Sequence, residues 1–442
     1  MFFPGSIEAV EQHLENTQWW PADILRRYQV ELLRPLLAHA YRTVPWYRQC
    51  DAIRQAAERG IDDDTWQAIP LLTRTDIQEA GPRLHARSVP GNHGAIGQTW
   101  TGGSTASPVM VLATELTRRF WIANTMREHR WQHRDLSSRM AVIRYLPNGG
   151  AEPPEGVELD HWGTATAGRM ATGRCAVLNV SSTTSQQAQW LERVRPSYLQ
   201  TYPSVALALA DYSRLSDISV PGLRQVCTFG EVVDLKVREA CRLAWDAEVV
   251  DSYSTNEVGH VAIECSEHRY HVQAEHLVVE VLDGRGRPCQ AGQIGCVVIT
   301  DLFNYAMPLV RYDIGDYAEV GEPCPCGRNL PILARILGRQ RNMFLRPDGE
   351  KYWPAMLVHP EAAFEAQLPV RQFQMIQTSL RGFELKLVVT RALTTGEESI
   401  IRGMVGGIVG RDCSIRTSYV DHIARSDTGK FEDFRCDLSL DQ

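Results

Sequence analysis

The chain has 442 residues, 44% of them hydrophobic and 22% charged, and carries a net charge of -7. That length exceeds one ordinary core and predicts two or more domains, while the acidic balance supplies no basic footprint for nucleic acid and no polybasic patch for a membrane. No apolar run is long enough to span a bilayer, and the first residues lack a basic segment followed by an apolar core, so a cytoplasmic protein with its eleven cysteines reduced is expected.

In chain order, Leu25, Tyr28, Leu32, Leu36, Ala40 and Val44 recur at three- and four-residue steps. They predict helix from Ala22 to Val44 inside a helical N-terminal region of about 90 residues, with Pro35 starting a second helix or kinking the first. A loop-rich stretch with Gly91, Gly94 and Gly97 follows. From Met110 to Val249 short apolar strands alternate with helical patterns, for example strand Ala141–Tyr145 and helix Ser185–Arg193, which reads as α/β. His276–Leu282 and Gly295–Thr300 then read as an antiparallel meander. The last hundred residues form a separate unit: strand Phe373–Thr378, a turn at Leu380–Gly382, alternating Phe383, Leu385, Leu387 and Val389, a helix over Glu397–Val409 and a strand Ile415–Val420. This predicts a β-β-α-β lid on a larger α/β body, with the division at residues 1–339 and 340–442.

Several polar segments punctuate this frame. Thr99-Trp-Thr-Gly-Gly-Ser-Thr-Ala-Ser-Pro108 crowds hydroxyls and glycines into one loop. Small residues let backbone N–H groups approach a polyanion and hydroxyls add donors, so a phosphate chain is its natural guest. Downstream come Thr228-Phe-Gly-Glu231, Asp251-Ser-Tyr-Ser-Thr-Asn-Glu257, Val310-Arg-Tyr-Asp-Ile-Gly-Asp316, Ile336-Leu-Gly-Arg-Gln-Arg-Asn342 and Arg425-Ser-Asp-Thr-Gly-Lys-Phe431.

In this order the segments, together with His39-Ala-Tyr-Arg-Thr-Val-Pro-Trp-Tyr-Arg48, resemble the adenylate-forming superfamily and, within it, the phenylacetate–CoA ligase branch. The resemblance implies a large multi-sheet α/β adenylating domain with a small mobile α+β lid. It implies that Thr101, Gly102, Gly103, Ser104 and Thr105 grip the ATP phosphates, and that Gly230 and Glu231 lie beside the adenine. Of the Asp251, Ser252 and Tyr253 segment, the tyrosine stacks on the base. Asn256 faces the α-phosphate, Glu257 binds Mg²⁺, Asp316 holds the ribose hydroxyls and Arg339 contacts ribose or phosphate. Asp313 is the competitor of Asp316 and reads as a turn residue. Lys430 delivers its ammonium to the α-phosphate and the substrate carboxylate, where a desolvated cation stabilises the charge gained at the transition state. Trp162, Tyr202, Pro203 and Ser204 are the pocket candidates for a small carboxylic acid, aromatic acids among them. Ala106, Ser107, Asn256 and Arg341 depart from the usual family pattern.

Cys265 and His268 form one close pair and Cys324 and Cys326 another. Four N/S ligands in two pairs suit a closed, structural Zn²⁺ site, with His271 the alternative imidazole. The expected activity is acyl-AMP formation with pyrophosphate release, then transfer to CoA or a carrier-protein phosphopantetheine. An amine acceptor or an unusual acid such as nitrite is the second reading, and a zinc-stabilised nucleotide-binding protein without ligase activity is the third. Homodimerisation is left open.

Overall fold

A computed structural model describes residues 5–100, 109–146, 148–339, 342–349, 351–352, 368–410, 412–426 and 429–438. The N-terminal region is helical: α1 (Ile7–Thr17), α2 (Ala22–Thr43), α3 (Asp51–Arg59), α4 (Asp63–Gln67) and α5 (Arg74–Ala80). Helix α2 runs unbroken through Pro35, because a single missing N–H removes one helical bond and the buried Leu32, Leu33, Leu36 and Leu37 hold both sides of it in the core. A small hairpin, β1 (Ile96–Trp100) and β2 (Met110–Thr114), flanks the expected phosphate loop, whose residues 101–108 lie outside the described ones.

The body is organised by one large sheet, twelve-stranded among the described residues. Its parallel half alternates with helices: α6 (Glu115–Trp131), β3 (Met140–Arg144), β4 (Val157–Leu159), β5 (Cys175–Asn179), α7 (Thr184–Val194), β6 (Tyr198–Thr201), α8 (Pro203–Ser216), β7 (Gln225–Phe229), α9 (Leu235–Trp245) and β8 (Glu248–Thr255). Strands β5, β3, β6, β7 and β8 pair in that order, all parallel. Their buried residues pack with Trp190, Leu191, Leu209 and Cys241 of α7, α8 and α9 into one core, as expected of crossover helices covering a parallel sheet. The antiparallel half, β9 (Gly259–Glu264), β10 (Tyr270–Val272), β11 (Leu277–Leu282), β12 (Ile294–Asp301), β13 (Tyr312–Val320) and β14 (Ile332–Arg339), is continuous with it through β8 and β9. The expected antiparallel meander is present as β11 and β12, continued by β13, within this same sheet. A buried ion pair, Arg127 to Glu275 at 2.6 Å, joins α6 to the segment before β11, and Thr17 of α1 donates to the same carboxylate.

Beyond β14, a two-stranded ribbon, β15 (Phe344–Leu345) and β16 (Lys351–Tyr352), precedes the C-terminal sheet: β17 (Val370–Ser379), β18 (Gly382–Val389), α10 (Thr395–Val409), β19 (Ser414–Tyr419) and β20 (Phe434–Cys436). The expected β-β-α-β order is present. Strand β20 adds a fourth, parallel partner to β17; at three residues it is too short to announce itself by alternation. This unit has its own core, including Met375, Phe383, Leu385, Val405 and Phe434.

Candidate active site

The functional side chains converge beyond the carboxyl ends of the parallel strands, where open α/β sheets bind their ligands. Tyr145 follows β3, Tyr202 follows β6, Gly230 and Glu231 follow β7, and Asn256 and Glu257 follow β8. Tyr202 is buried, its ring 4.9 Å from that of Phe229, and its hydroxyl oxygen accepts the backbone N–H of Tyr145. Pro203 opens α8, where its lack of an N–H costs nothing. Ser204 follows, its N–H donated to Glu231 at 3.0 Å.

Into this space the C-terminal unit inserts the loop carrying Lys430. The loop is tight: Gly429 N–H donates to the Ser426 carbonyl and Ser426 N–H to the Lys430 carbonyl, each at 2.8 Å. Two glycines make the approach possible. Gly429 has φ +77°, and a Cβ there would lie 2.8 Å from Tyr145 Cβ; Gly230 has φ +79°, and a Cβ there would lie 3.2 Å from Lys430 Cε. Desolvation, followed by the nearby Arg339 guanidinium, pushes the Lys430 ammonium below its ordinary pKa, opposed by Asp316, Glu231 and Glu257. A half-buried cation among three carboxylates is thus poised over the strand ends.

The expected nucleotide residues form a second wall. Tyr253 of β8 donates its hydroxyl to Asp316 Oδ2 at 2.8 Å, and Arg339 Nε lies 3.5 Å from Oδ1 of the same carboxylate. Asp316 and Arg339 are cross-strand partners on β13 and β14, so the sheet register itself brings them together. Asp313 instead accepts the N–H of Gly315, as a turn residue does. Asn256 donates to the Trp100 carbonyl at 3.2 Å, at the last described residue before the phosphate loop. Thr101, Gly102, Gly103, Ser104, Thr105 and Arg341 lie outside the described residues.

Three expected site residues point elsewhere. Trp162 packs with Met140, Cys175 and Tyr198, at the starts of the parallel strands and so at the opposite end of the sheet, with its indole N–H donated to the Ser138 carbonyl. Asp251 is fully enclosed: Thr228 and Tyr270 each donate to one of its oxygens, and burial drives its carboxyl up to about 7. Ser252 faces His260 at 3.1 Å. Strand alternation turns Ser252 to the face opposite Tyr253, whereas Asp251 lies two residues further back along β8, where Thr228 and Tyr270 enclose it. Sequence reasoning also passed over Arg425, which contacts Ser204 Oγ at 2.8 Å and Glu231 Oε1 at 3.4 Å; its place at the head of the lysine motif was the available signal.

Away from this cleft, Cys265, His271, Cys324 and Cys326 bring one ligand atom each to within 4.8 Å of one another. Cys265 Sγ lies 3.6 Å from Cys324 Sγ, and Cys326 Sγ lies 3.3 Å from His271 Nε2. The imidazole is therefore His271, not His268. Residue 268 sits in the β9–β10 turn at φ +53° and bonds Glu264 and Arg238. On β10, Tyr270 faces Asp251 and the next residue faces the thiols, the period-two pattern of a strand. Three thiols and a neutral imidazole, its protonation suppressed by burial and then by Arg328 and Arg127, are a donor set that fits Zn²⁺.

A large mixed sheet with a separate small unit that presents a lysine to the ends of its parallel strands is the architecture that the sequence resemblance implies. Residues 348–434 match the family model described as the CapK C-terminal domain. The chain is 27% identical over 396 residues to a phenylacetate-coenzyme A ligase of Thermus thermophilus, covering 84% of this chain and 82% of that protein. It superposes on 2-hydroxyisobutyryl-CoA ligase in its postadenylation state with a TM-score of 0.72 at 20% identity, covering 95% of this chain and 91% of that one. With the same ligase in its thioesterification state the TM-score is 0.57, again at 20% identity, over 96% and 91%. In sequence the chain is thus similar to phenylacetate–CoA ligases, and in fold to acyl-CoA ligases of the adenylate-forming superfamily.

Proposed function

We propose that this chain is an ATP-dependent acid–CoA ligase acting on a small carboxylic acid, aromatic acids among the candidates. The observation that carries the reading is Lys430, seated against Gly230 in reach of the charges of Asp316 and Glu257. The substrate carboxylate attacks the α-phosphorus of ATP and pyrophosphate leaves. The thiol of CoA then attacks the acyl carbon of the mixed anhydride, loses its proton and expels AMP. Lys430 stabilises the negative charge that builds on the α-phosphate and orients the attacking carboxylate. Asp316, held by the Tyr253 hydroxyl, binds the ribose with Arg339; the Tyr253 ring and Gly230 line the adenine side; Tyr202, Pro203 and Ser204 border the acid; Thr101–Thr105 and Asn256 face the phosphates.

Mg²⁺ would be held by Glu257 and phosphate oxygens, which is the sparse carboxylate ligation this ion favours, and would neutralise phosphate charge. Zn²⁺ would be held by Cys265, His271, Cys324 and Cys326 as a structural ion pinning the β9–β10 turn to the β13–β14 loop. Reduced thiols there suit a cytoplasmic setting. Residues 1–339 are the adenylating body and 340–442 a lid that turns about their junction to present a different face to the thiol step. A carrier-protein phosphopantetheine is the second thiol this chemistry accommodates. The relatives in sequence are phenylacetate-CoA ligases, which does not favour an amine acceptor, an acid such as nitrite, or a protein without ligase activity. The test is pyrophosphate release over a panel of aromatic, aliphatic and inorganic acids, followed by CoA-dependent AMP release; no turnover with any acid would overturn the reading.

A further inference from the structure

Glu231 is held by donors from both the body and the C-terminal unit. Its Oε2 accepts the Ser204 N–H at 3.0 Å, and its Oε1 accepts the Phe431 N–H at 2.6 Å and faces Arg425 Nη1 at 3.4 Å. The Ser204 bond caps α8 from outside, because the helix has no side-chain cap of its own at Tyr202; a carboxylate at a helix N-terminus is favourably placed there. Arg425 in turn donates to Ser204 Oγ at 2.8 Å and to the Gly429 carbonyl at 3.1 Å. The two peptide groups that flank Lys430 are therefore each gripped: the Gly429 carbonyl by Arg425 and the Phe431 N–H by Glu231. The grip spans the two units, since Ser204 and Glu231 belong to the body. It is found in an arrangement closer to the postadenylation than to the thioesterification state of a fold relative.

We infer that Glu231 and Arg425 form a bracket that locks the C-terminal unit onto the body by the main chain on both sides of Lys430, so that they act as positioning residues for adenylation and not for thiol transfer. The inference rests on the acid–CoA ligase reading for its kinetic consequence but not for its structural one. When the lid turns for the second step the bracket opens, and its charge-assisted bonds weigh only on the first.

The experiment uses the full chain and the variants Glu231→Gln and Arg425→Met, with circular dichroism confirming the fold. Hydrogen exchange is followed in a peptide covering 429–434, acyl-AMP formation by pyrophosphate release, and thioester formation from chemically supplied acyl-AMP and CoA. Gln keeps the shape of Glu231 but sets a donor against one of the N–H groups it now accepts. Expected is at least tenfold faster exchange at Phe431 and an adenylation kcat about 30-fold lower with KM for ATP nearly unchanged. Thioester formation should stay within about twofold, and Arg425→Lys should recover part of the loss. Equal losses in both half-reactions, a raised KM for ATP at constant kcat, or unaltered exchange would each overturn the bracket. If the unmodified chain turns over no acid, the functional reading fails, and the exchange measurement alone still decides the bracket.

Discussion

The hydroxyl of Tyr253 donates to Oδ2 of Asp316 at 2.8 Å, joining two strands on opposite sides of the junction between the parallel and antiparallel halves of the sheet. Burial, followed by the charge of Asp316, raises the phenol far above its ordinary pKa, so it remains a donor throughout the neutral range. Asp316 is thereby presented with one oxygen fixed before any ribose arrives. Tyr253→Phe keeps the ring and removes the donor. KM for ATP is expected to rise about tenfold, the usual worth of a hydrogen bond to a charged group. Asp316→Asn should cost more. Steady-state pyrophosphate release at varied ATP measures both, and an unchanged KM in Tyr253→Phe would show that the bond does not prepare the carboxylate.

Gly429 is required twice over, by its positive φ and by the Tyr145 Cβ that a side chain would strike. Val180 Cγ1, at 3.1 Å from the same added atom, closes the other side. Gly429→Ala cannot be relieved by moving a flexible chain end, because Tyr145 Cβ is tied to the backbone. The lysine loop should withdraw, and acyl-AMP formation should fall about 100-fold as a positioning loss. Thioester formation from supplied acyl-AMP should remain close to normal. Comparable losses in the two half-reactions would mean that the loop matters for folding and not for closure.

How much of this was legible beforehand varied with the kind of contact. The convergence of Tyr253, Asp316, Arg339 and Lys430 was foreseeable because each sits in a local motif carried by a few consecutive residues. The imidazole of the thiol cluster could not: a Cys-x-x-His spacing fits His268, and only the strand parity of β10 selects His271. Trp162 failed for a related reason, since an aromatic residue in a loop does not reveal at which end of the sheet it will lie. Asp251 reads as part of a binding motif but sits one strand repeat deeper than Tyr253, where Thr228 and Tyr270 draw it into a polar core network. The Glu231–Arg425 contact joins residues 194 positions apart. It exists only when two units dock, which local patterning cannot encode.

The thiol cluster gives a sharp test between two histidines only three residues apart in sequence. His271→Ala should lose zinc, while His268→Ala should retain it and lose only a surface contact with Glu264 and Arg238. Metal content of the purified proteins decides this directly. Chelation of the unmodified chain should lower Tm, because an ion bound only by the folded state stabilises it by mass action. A protein purified without stoichiometric zinc, and insensitive to added zinc, would remove the site.

Lys430 sets activity against stability. Its pKa lies below 10.5 in the folded chain because desolvation, and then Arg339, disfavour the ammonium. Between that lowered value and 10.5 the unfolded chain binds more protons than the folded one, so stability rises with pH across this window. Below the window the full cost of holding a partly desolvated cation is carried by the fold, and above it the cost is gone. Lys430→Met should therefore raise Tm by about 1 °C or more at neutral pH, with the gain shrinking toward pH 10.5. The same substitution should abolish acyl-AMP formation at every pH. In the unmodified chain the rate of the first half-reaction should fall on the alkaline side at a lower pH than an exposed lysine would give, because the ammonium is the stabilising form. Thermal melts across pH and pre-steady-state adenylation rates test the two sides together; a Lys430→Met protein that is less stable at neutral pH would show that the attraction of Asp316, Glu231 and Glu257 outweighs desolvation at this position.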